Sequence, residues 1–201
     1  MTWLAAIWDP DGQALAELRG DGLTVQRALD DQGRYGAGRP FGVLLRGEDP
    51  VAPAALRSLG SRVRAWRVEE HAPRTATEAC AVTMTALMRR HPDLDHAGFV
   101  EHWLYRHRPL ALAHHEGLAD YRQCVVVEAL ITGGEAGDYE VDDEVDGVAR
   151  LGFATRADLD HRFYDSDEGR RVIGEDVRRF MAGPGPDTTL LGPPERVAAP
   201  G

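Results

Sequence analysis

The sequence contains no lysine, and this absence removes one class of enzyme chemistry. All 23 basic residues in the chain of 201 are arginines. A chain without lysine cannot form a lysine Schiff base or use lysine as a general base. The acidic residues outnumber the arginines and give a net charge of −10. That charge argues against nucleic acid or an anionic membrane surface as the main partner.

Cysteine is also scarce. The two cysteines, Cys80 and Cys124, lie far apart and belong to no Cys-x-x-Cys pattern, which argues against a disulfide framework and a structural zinc. We expect both to be small buried hydrophobes in a reducing compartment. No apolar run approaches the roughly 20 residues of a membrane span, and the N-terminus lacks the basic region of a signal peptide. A cytoplasmic protein is therefore expected.

The first part of the chain alternates between strand-like and helix-like segments. Periodicity predicts strands at 2–8, 41–46 and 61–70, with an interrupted helix in 13–31 and a short helix at 51–59. Residues 33–40 hold three glycines and two arginines. This segment is predicted to be a connecting loop, because it lacks the spacing of a phosphate-binding loop. A linker at 72–78 divides the chain into halves at residues 1–75 and 76–201.

The second half has a clearer pattern. Strands are predicted at 80–88, 118–130, 147–154 and 188–197, and helices at 95–114, 156–163 and 167–181. This βαββαβ order is the split-βαβ, ferredoxin-like arrangement of an α+β fold. The segment 135–146 carries seven acidic residues. It lacks the ligand spacing of a calcium loop, so we expect a solvated hairpin loop.

An aromatic stripe on the long helix marks a candidate acid/base site. Phe99, Trp103 and His107 are four residues apart and share one helical face, while His102 and Arg106 form a more polar row beside it. A histidine that closes an apolar stripe can face a pocket and transfer protons. The alternative is a partly buried histidine bonded to a backbone carbonyl. His102 and His107 are five apart, which does not fit two metal ligands on one α-helix, so no metal is predicted.

The strand after this helix offers partners for His107. Tyr121, Gln123 and Val125 share one strand face because side chains alternate with a period of two. In such a pocket the imidazole would remove a proton, and the Tyr121 hydroxyl would stabilise the developing oxyanion. Phe99, Trp103 and Val125 would form apolar walls suited to a flat aromatic substrate. The alternative for Tyr121 is a core tyrosine with a locally bonded hydroxyl.

Several short motifs follow one another over about residues 80–182. They are Trp103-x-x-x-His107-x-Pro109-Leu110, Gly117-Leu118-x-x-Tyr121-x-Gln123, Asp146-Gly147-Val148-Ala149-x-Leu151-x-Phe153, Ser166-x-Glu168-Gly169, Glu175-Asp176 and Arg179-Phe180. In their order and spacing these motifs resemble the EthD family of the dimeric α+β barrel superfamily.

This resemblance implies a ferredoxin-like dimeric α+β barrel, whose sheet needs a second sheet against its open face. The covering sheet belongs either to a second copy, in a homodimer, or to a degenerate first half, in an intrachain pseudo-dimer. Nothing in the first half corresponds to Trp103 or His107. Any such site therefore belongs to the second half.

The resemblance also implies a function without metal or organic cofactor. We expect a lyase or cyclase that acts on an aromatic or polyketide-derived molecule in bacterial secondary metabolism. His107 would be the general acid/base and Tyr121 the oxyanion donor, with His102 and Arg106 orienting a substrate carbonyl or carboxylate. One alternative is a cofactor-free monooxygenase of anthrone-like phenols, in which His107 generates a carbanion that attacks dioxygen. The other is a non-catalytic small-molecule-binding accessory protein.

Overall fold

The computed structural model describes residues 1–48, 52–132, 144–183 and 185–199, which form a curled antiparallel sheet with helices on its outer face. The first half contains β1 (Thr2–Pro10), α1 (Gly12–Glu17), β2 (Thr24–Arg27), β3 (Val43–Glu48), α2 (Pro53–Leu56) and β4 (Gly60–Arg74), with 3-10 turns at Gly33–Tyr35 and Arg57–Leu59. The second half contains β5 (Val82–Met88), α3 (His96–Glu101), a π-helical segment (His102–His107), α4 (Arg108–His114), β6 (Leu118–Thr132), β7 (Gly147–Phe153), α5 (Arg156–Arg162), α6 (Asp167–Phe180), β8 (Asp187–Leu191) and β9 (Glu195–Arg196).

The strand order is repeated in the two halves. Within the described residues the sheet order is β8-β5-β7-β6-β4-β1-β3-β2-β9, so each half places its fourth strand first, followed by its first, third and second strands. The long antiparallel pairing of β4 with β6 joins the halves. At the far ends, Leu29 N–H donates to the carbonyl of Leu190 and Gly192 N–H donates to that of Arg27, both at 2.9 Å. The sheet therefore curls until its two ends meet.

Strand β1 is buried on both faces, which explains its continuous apolar run. Leu4 and Trp8 point into the interior of the curled sheet, where they pack in one cluster with Trp66 and Cys124. Alternate residues such as Ile7 point outward into the cluster that α1 and α2 cover. The sheet thus has the apolar interior that it encloses on one face and the helices on the other.

The outer face of the second half carries a cluster of fully buried aromatic side chains. Phe99, Trp103, Tyr121, Phe153 and Phe180 are all at most 1 % exposed and belong to one cluster. This cluster packs β5, β6 and β7 against the helical segments from α3 to α6. The two free cysteines are buried, as predicted.

The structure corrects three expectations about individual elements. Residues 24–27 form β2 and not part of a helix. Strand β4 continues to Arg74, inside the segment predicted to be a linker. The last predicted strand is divided into β8 and β9. Most of the predicted acidic hairpin loop at 135–146 lies outside the described residues. In the part of the chain that the structure describes, no helix has the length and apolar character needed to cross a bilayer.

Gly147 allows the sheet to lie close to the indole of Trp103. A Cβ atom at this position would lie 2.5 Å from Cζ3 of Trp103. We therefore expect Gly147→Ala to lower the free energy of unfolding by about 1–3 kcal/mol, because the buried indole must shift. Chemical denaturation monitored by tryptophan fluorescence would measure this change.

Gly174 supplies a matched control in the middle of α6. The nearest atom to a Cβ there is the Arg178 Nη1 at 3.7 Å. Gly174→Ala should raise the free energy of unfolding by up to about 1 kcal/mol, because alanine favours the helix. Equal effects of the two substitutions would contradict the packing argument for Gly147.

Candidate active site

The long helix forms as predicted, but its middle turn is wider than an α-helical turn. Asp95 caps its start, accepting the N–H of Gly98 at 2.7 Å. Further along, Arg108 N–H donates to the carbonyl of Trp103, five residues earlier, which is the π-helical pattern. Gln123 Nε2 donates to the same carbonyl at 3.0 Å. The Gln123 amide from β6 thus supports the wide turn.

This wide turn brings two histidines to one carboxylate. Asp176 of α6 has Oδ1 at 2.8 Å from Nε2 of His102 and Oδ2 at 2.9 Å from Nδ1 of His107. In an α-helix, side chains five residues apart point in different directions, whereas the π turn brings them closer. The spacing that argued against a shared metal therefore permits a shared carboxylate.

The environment of Asp176 determines which nitrogen of His107 can act as a base. Burial alone would raise the pKa of Asp176, but the hydrogen bonds from His107 and His102 outweigh burial and lower this pKa. An ionised carboxylate only accepts hydrogen bonds. Nδ1 of His107 therefore carries the proton shared with Asp176, and a base function of this ring falls to Nε2.

A cavity of about 450 Å³ lies between the sheet and the helices of the second half. His107, Trp103 and Tyr121 all line it, so the structure brings these three predicted residues together. The remaining lining residues are Arg34, Tyr35, Met84, Ala86, Met88, His115, Ala149, Leu151, Phe163, Tyr164, Arg170, Ile173, Val177, Phe180, Met181, Pro186 and Thr188. The wall is mostly apolar, with a few polar groups at defined places, as in small-molecule sites.

The Tyr121 phenol is a buried part of the cavity wall. Tyr121 is 1 % exposed. Burial raises the pKa of its hydroxyl, against smaller opposing effects of hydrogen bonds with the Trp103 and Gln123 side chains and of the Arg108 charge. The hydroxyl therefore remains protonated at physiological pH, which suits an oxyanion donor.

The other predicted site residues lie outside the cavity lining. Phe99 packs behind Trp103, with ring centroids 5.5 Å apart, and Val125 belongs to the same core. Gln123 binds the Trp103 carbonyl and the Arg108 guanidinium. His102 binds Asp176, next to the cavity.

Arg106, predicted to bind the substrate, does not line the cavity. Its guanidinium is exposed and binds the Glu101 carboxylate at 3.3 Å. The structure therefore gives no contact through which Arg106 would orient a substrate in the cavity. Among the described residues, no group of three or more His, Cys, Asp or Glu side chains is placed to hold a metal ion.

Sequence reasoning did not assign roles to several residues of this site. The Glu175-Asp176 motif alone assigns no role to Asp176. A signal for it exists, because Asp176 lies on the buried face of α6 with Ile173 and Phe180, where an acidic residue requires a partner. Arg34 and Tyr35 belong to the predicted connecting loop, and only the packing between the halves places them at the cavity.

His115 is a second histidine of the cavity wall. It is 3 % exposed, and its Nδ1–H donates to the carbonyl of Phe163 at 2.7 Å. Burial lowers the pKa of His115 to about 4, although the bond to Phe163 opposes this effect. The ring is therefore neutral at physiological pH.

This pKa predicts a loss of stability in mild acid. Between pH 6.5 and 4 the unfolded chain binds a proton at His115 that the folded chain does not, so the free energy of unfolding falls as pH falls. The expected contribution is up to about 3 kcal/mol. In urea denaturation across this pH range, His115→Gln should have a shallower pH dependence than the original protein. His161→Gln, at an exposed position, should keep the original slope; identical slopes for all three proteins would contradict the assignment.

The chain resembles a known protein family over much of its second half. The family model described as the EthD domain matches residues 91–184. No protein with a curated description matches the chain by sequence. A crystal structure of an "anthrone oxidase-like protein" superposes with a TM-score of 0.60 at 14% identity, over 99% of this chain and 95% of the other.

A second solved structure, a candidate monooxygenase from Lactobacillus acidophilus NCFM, has a TM-score of 0.47 at 8% identity, over 98% of this chain and 95% of the other. The 0.60 superposition shows a shared fold. The segment from 91 to 184 contains Trp103, His107, Tyr121 and Asp176, so the matched EthD domain supports the family resemblance where the candidate site lies.

Proposed function

We propose that this protein is an EthD-family enzyme that oxidises an anthrone-like phenol with dioxygen, without a metal or organic cofactor. The observation that carries the proposal is the pairing of His107 with the buried Asp176 carboxylate on the wall of an apolar cavity. A histidine oriented by a carboxylate is a general base whose second nitrogen faces the substrate. The EthD match and the fold shared with an anthrone oxidase-like protein favour this reaction over the expected lyase or cyclase.

The reaction begins with proton transfer to His107. Nε2 takes a proton from the carbon between the two aromatic rings, and the electron pair is delocalised onto the substrate carbonyl oxygen. The Tyr121 hydroxyl donates a hydrogen bond to that oxygen, which lowers the energy of the anion. The apolar wall excludes water that would otherwise reprotonate the carbanion.

Dioxygen is the oxidant and the second substrate. The carbanion gives one electron to dioxygen, the two radicals combine into a carbon–oxygen bond, and the His107 imidazolium protonates the resulting peroxide. Removal of the remaining proton from the same carbon breaks the oxygen–oxygen bond and forms a carbonyl. One oxygen atom enters the product and the other leaves as water, so the substrate loses four electrons in total.

The chain organisation suggests how the site is assembled. We propose that residues 1–75 and 76–201 are two ferredoxin-like halves of an intrachain pseudo-dimer. The repeated strand order and the meeting of the sheet's ends support this division. In this arrangement the first half takes the place that a second copy occupies in a homodimer.

The proposal predicts oxygen-dependent turnover that requires His107. With anthrone as substrate, mass spectrometry should detect the quinone product in air and none without oxygen, after subtraction of spontaneous oxidation. His107→Ala should lower the rate by about 100-fold or more, since it removes the base. Tyr121→Phe should lower the rate by about 10- to 100-fold, since it removes one oxyanion donor.

Controls separate this outcome from the alternatives. Arg171→Gln, at an exposed position that lines neither cavity, should keep the original rate, and thermal unfolding would establish that each variant folds. Product from a poly-β-ketone in the absence of oxygen, by loss of water or carbon dioxide, would support the lyase or cyclase instead. Tight binding with no turnover of either compound would support the accessory role, and equal turnover by His107→Ala would remove this residue from the mechanism.

A separate prediction concerns Asp176 as a positioning residue. Asp176→Asn should lower kcat by about 100- to 10,000-fold and leave KM largely unchanged, because an amide can stabilise the wrong tautomer of His107. His102→Gln should have less than a tenfold effect, because its amide can still donate to Asp176. A purely structural role would instead lower thermal stability in both variants without this difference in kcat.

A further inference from the structure

We propose that the substrate carries a carboxylate, which binds Arg34 and Arg170 at the mouth of the cavity while its aromatic rings lie inside. This inference rests on the proposed function, because it takes the cavity as the substrate site. The two arginines come from different halves of the chain, and both line the inner cavity. They also line an adjoining, more polar cavity of about 380 Å³. The guanidiniums therefore lie where the apolar cavity opens outward.

Arg34 is fixed in place by the surface of the second half. Its Nη2 donates to the Tyr35 hydroxyl and to the carbonyl of Asp160, each at 2.7 Å. Tyr35 in turn donates to the carbonyl of Leu159 at 2.7 Å. The Arg34 guanidinium also lies over the Tyr35 ring, 4.9 Å from its centroid. One edge of the guanidinium is thus anchored, and the remaining donors are available for a ligand.

Arg170 approaches the mouth from α6. Its guanidinium lies over the ring of Tyr164, 5.6 Å from the centroid. The Tyr164 phenol interacts electrostatically with both Arg170 and Arg34, so the two positive charges lie around the same aromatic residue. Two guanidiniums stacked on tyrosines form a rigid pair of donors, which suits the planar geometry of a carboxylate.

The neighbouring carboxylates form their ion pairs with other cations, although the charge of Asp160 also interacts with Arg34. Asp160 binds Arg156 at 3.0 Å and Asp165 binds His114 at 3.0 Å. Asp167 is the third acidic residue of the outer cavity, and it is exposed. Neither Arg34 nor Arg170 forms an ion pair with a carboxylate in the part of the chain that the structure describes. By contrast, the adjacent Arg171 binds Glu168 and Glu175, each at 2.6 Å.

The location of these charges is notable in a protein of net charge −10. The overall field disfavours an anionic ligand, so an anionic substrate needs a local positive site to bind. An arginine pair at the border between a polar and an apolar cavity meets this need. It would also orient the substrate, with the carboxylate outward and the reacting carbon near His107.

A pair of matched probes tests the inference. We would measure the dissociation constants of anthracene-2-carboxylate and of neutral anthracene-2-carboxamide by fluorescence titration at low salt. The original protein should bind the carboxylate about tenfold more tightly than the amide. Arg34→Gln and Arg170→Gln should each weaken carboxylate binding by about threefold to tenfold and leave amide binding nearly unchanged. Arg171→Gln removes the same charge from the same helix and should change neither constant.

The outcomes distinguish this inference from the proposed function. Equal binding of the two probes by the original protein would overturn the arginine site, and so would an equal loss in Arg171→Gln. If neutral anthrone is still oxidised in these cases, the proposed function stands. If neither probe binds and anthrone is not oxidised, the inference and the proposed function fail together.

Discussion

The buried carboxylate of Asp176 is the interaction on which the rest of the candidate site depends. An ionised group away from water is stable only with hydrogen-bonding partners, and here the partners are the imidazoles of His102 and His107. To reach the same carboxylate from positions five residues apart, the helix must widen into a π turn. In this π turn the Trp103 carbonyl also accepts a hydrogen bond from Gln123. The electrostatic requirement of one side chain is thus associated with a local change in backbone geometry.

Three elements of the structure each supply different side chains to the candidate site. The π-helical segment presents His107 and Trp103, strand β6 presents Tyr121, and helix α6 presents Asp176. The aromatic core around Phe99 and Phe180 packs these elements together, and close-packed cores hold side chains in defined positions. A base that must meet a carbon atom at a defined distance benefits from such rigid support. The cavity is therefore built from the core of the second half and not from surface loops.

The sequence predicted the elements that have a strong hydrophobic periodicity. The long helix, β6, β7 and the helices after them follow clear patterns, and Trp103, His107 and Tyr121 on two of these elements line one cavity. Strand β2 was not predicted, because it has only four residues and one apolar side chain, Val25. So short a segment shows no clear hydrophobic periodicity. The π turn was not predictable from spacing alone, since periodicity arguments assume an α-helix. Arg34 and Tyr35 could not be assigned because their position depends on contacts between residues more than 100 apart.

The 3-10 turn that carries Arg34 and Tyr35 lies apart in the chain from the groups proposed to react. The residues that bound the opening of the cavity include this turn of the first half, whereas the groups proposed to transfer protons all lie in the second half. Substitutions, insertions or deletions in the segment between β2 and β3 can therefore change which molecules enter without altering the groups that react. In evolution, or in a directed-evolution library restricted to residues 28–42, ligand choice becomes a trait that varies independently of the chemical step.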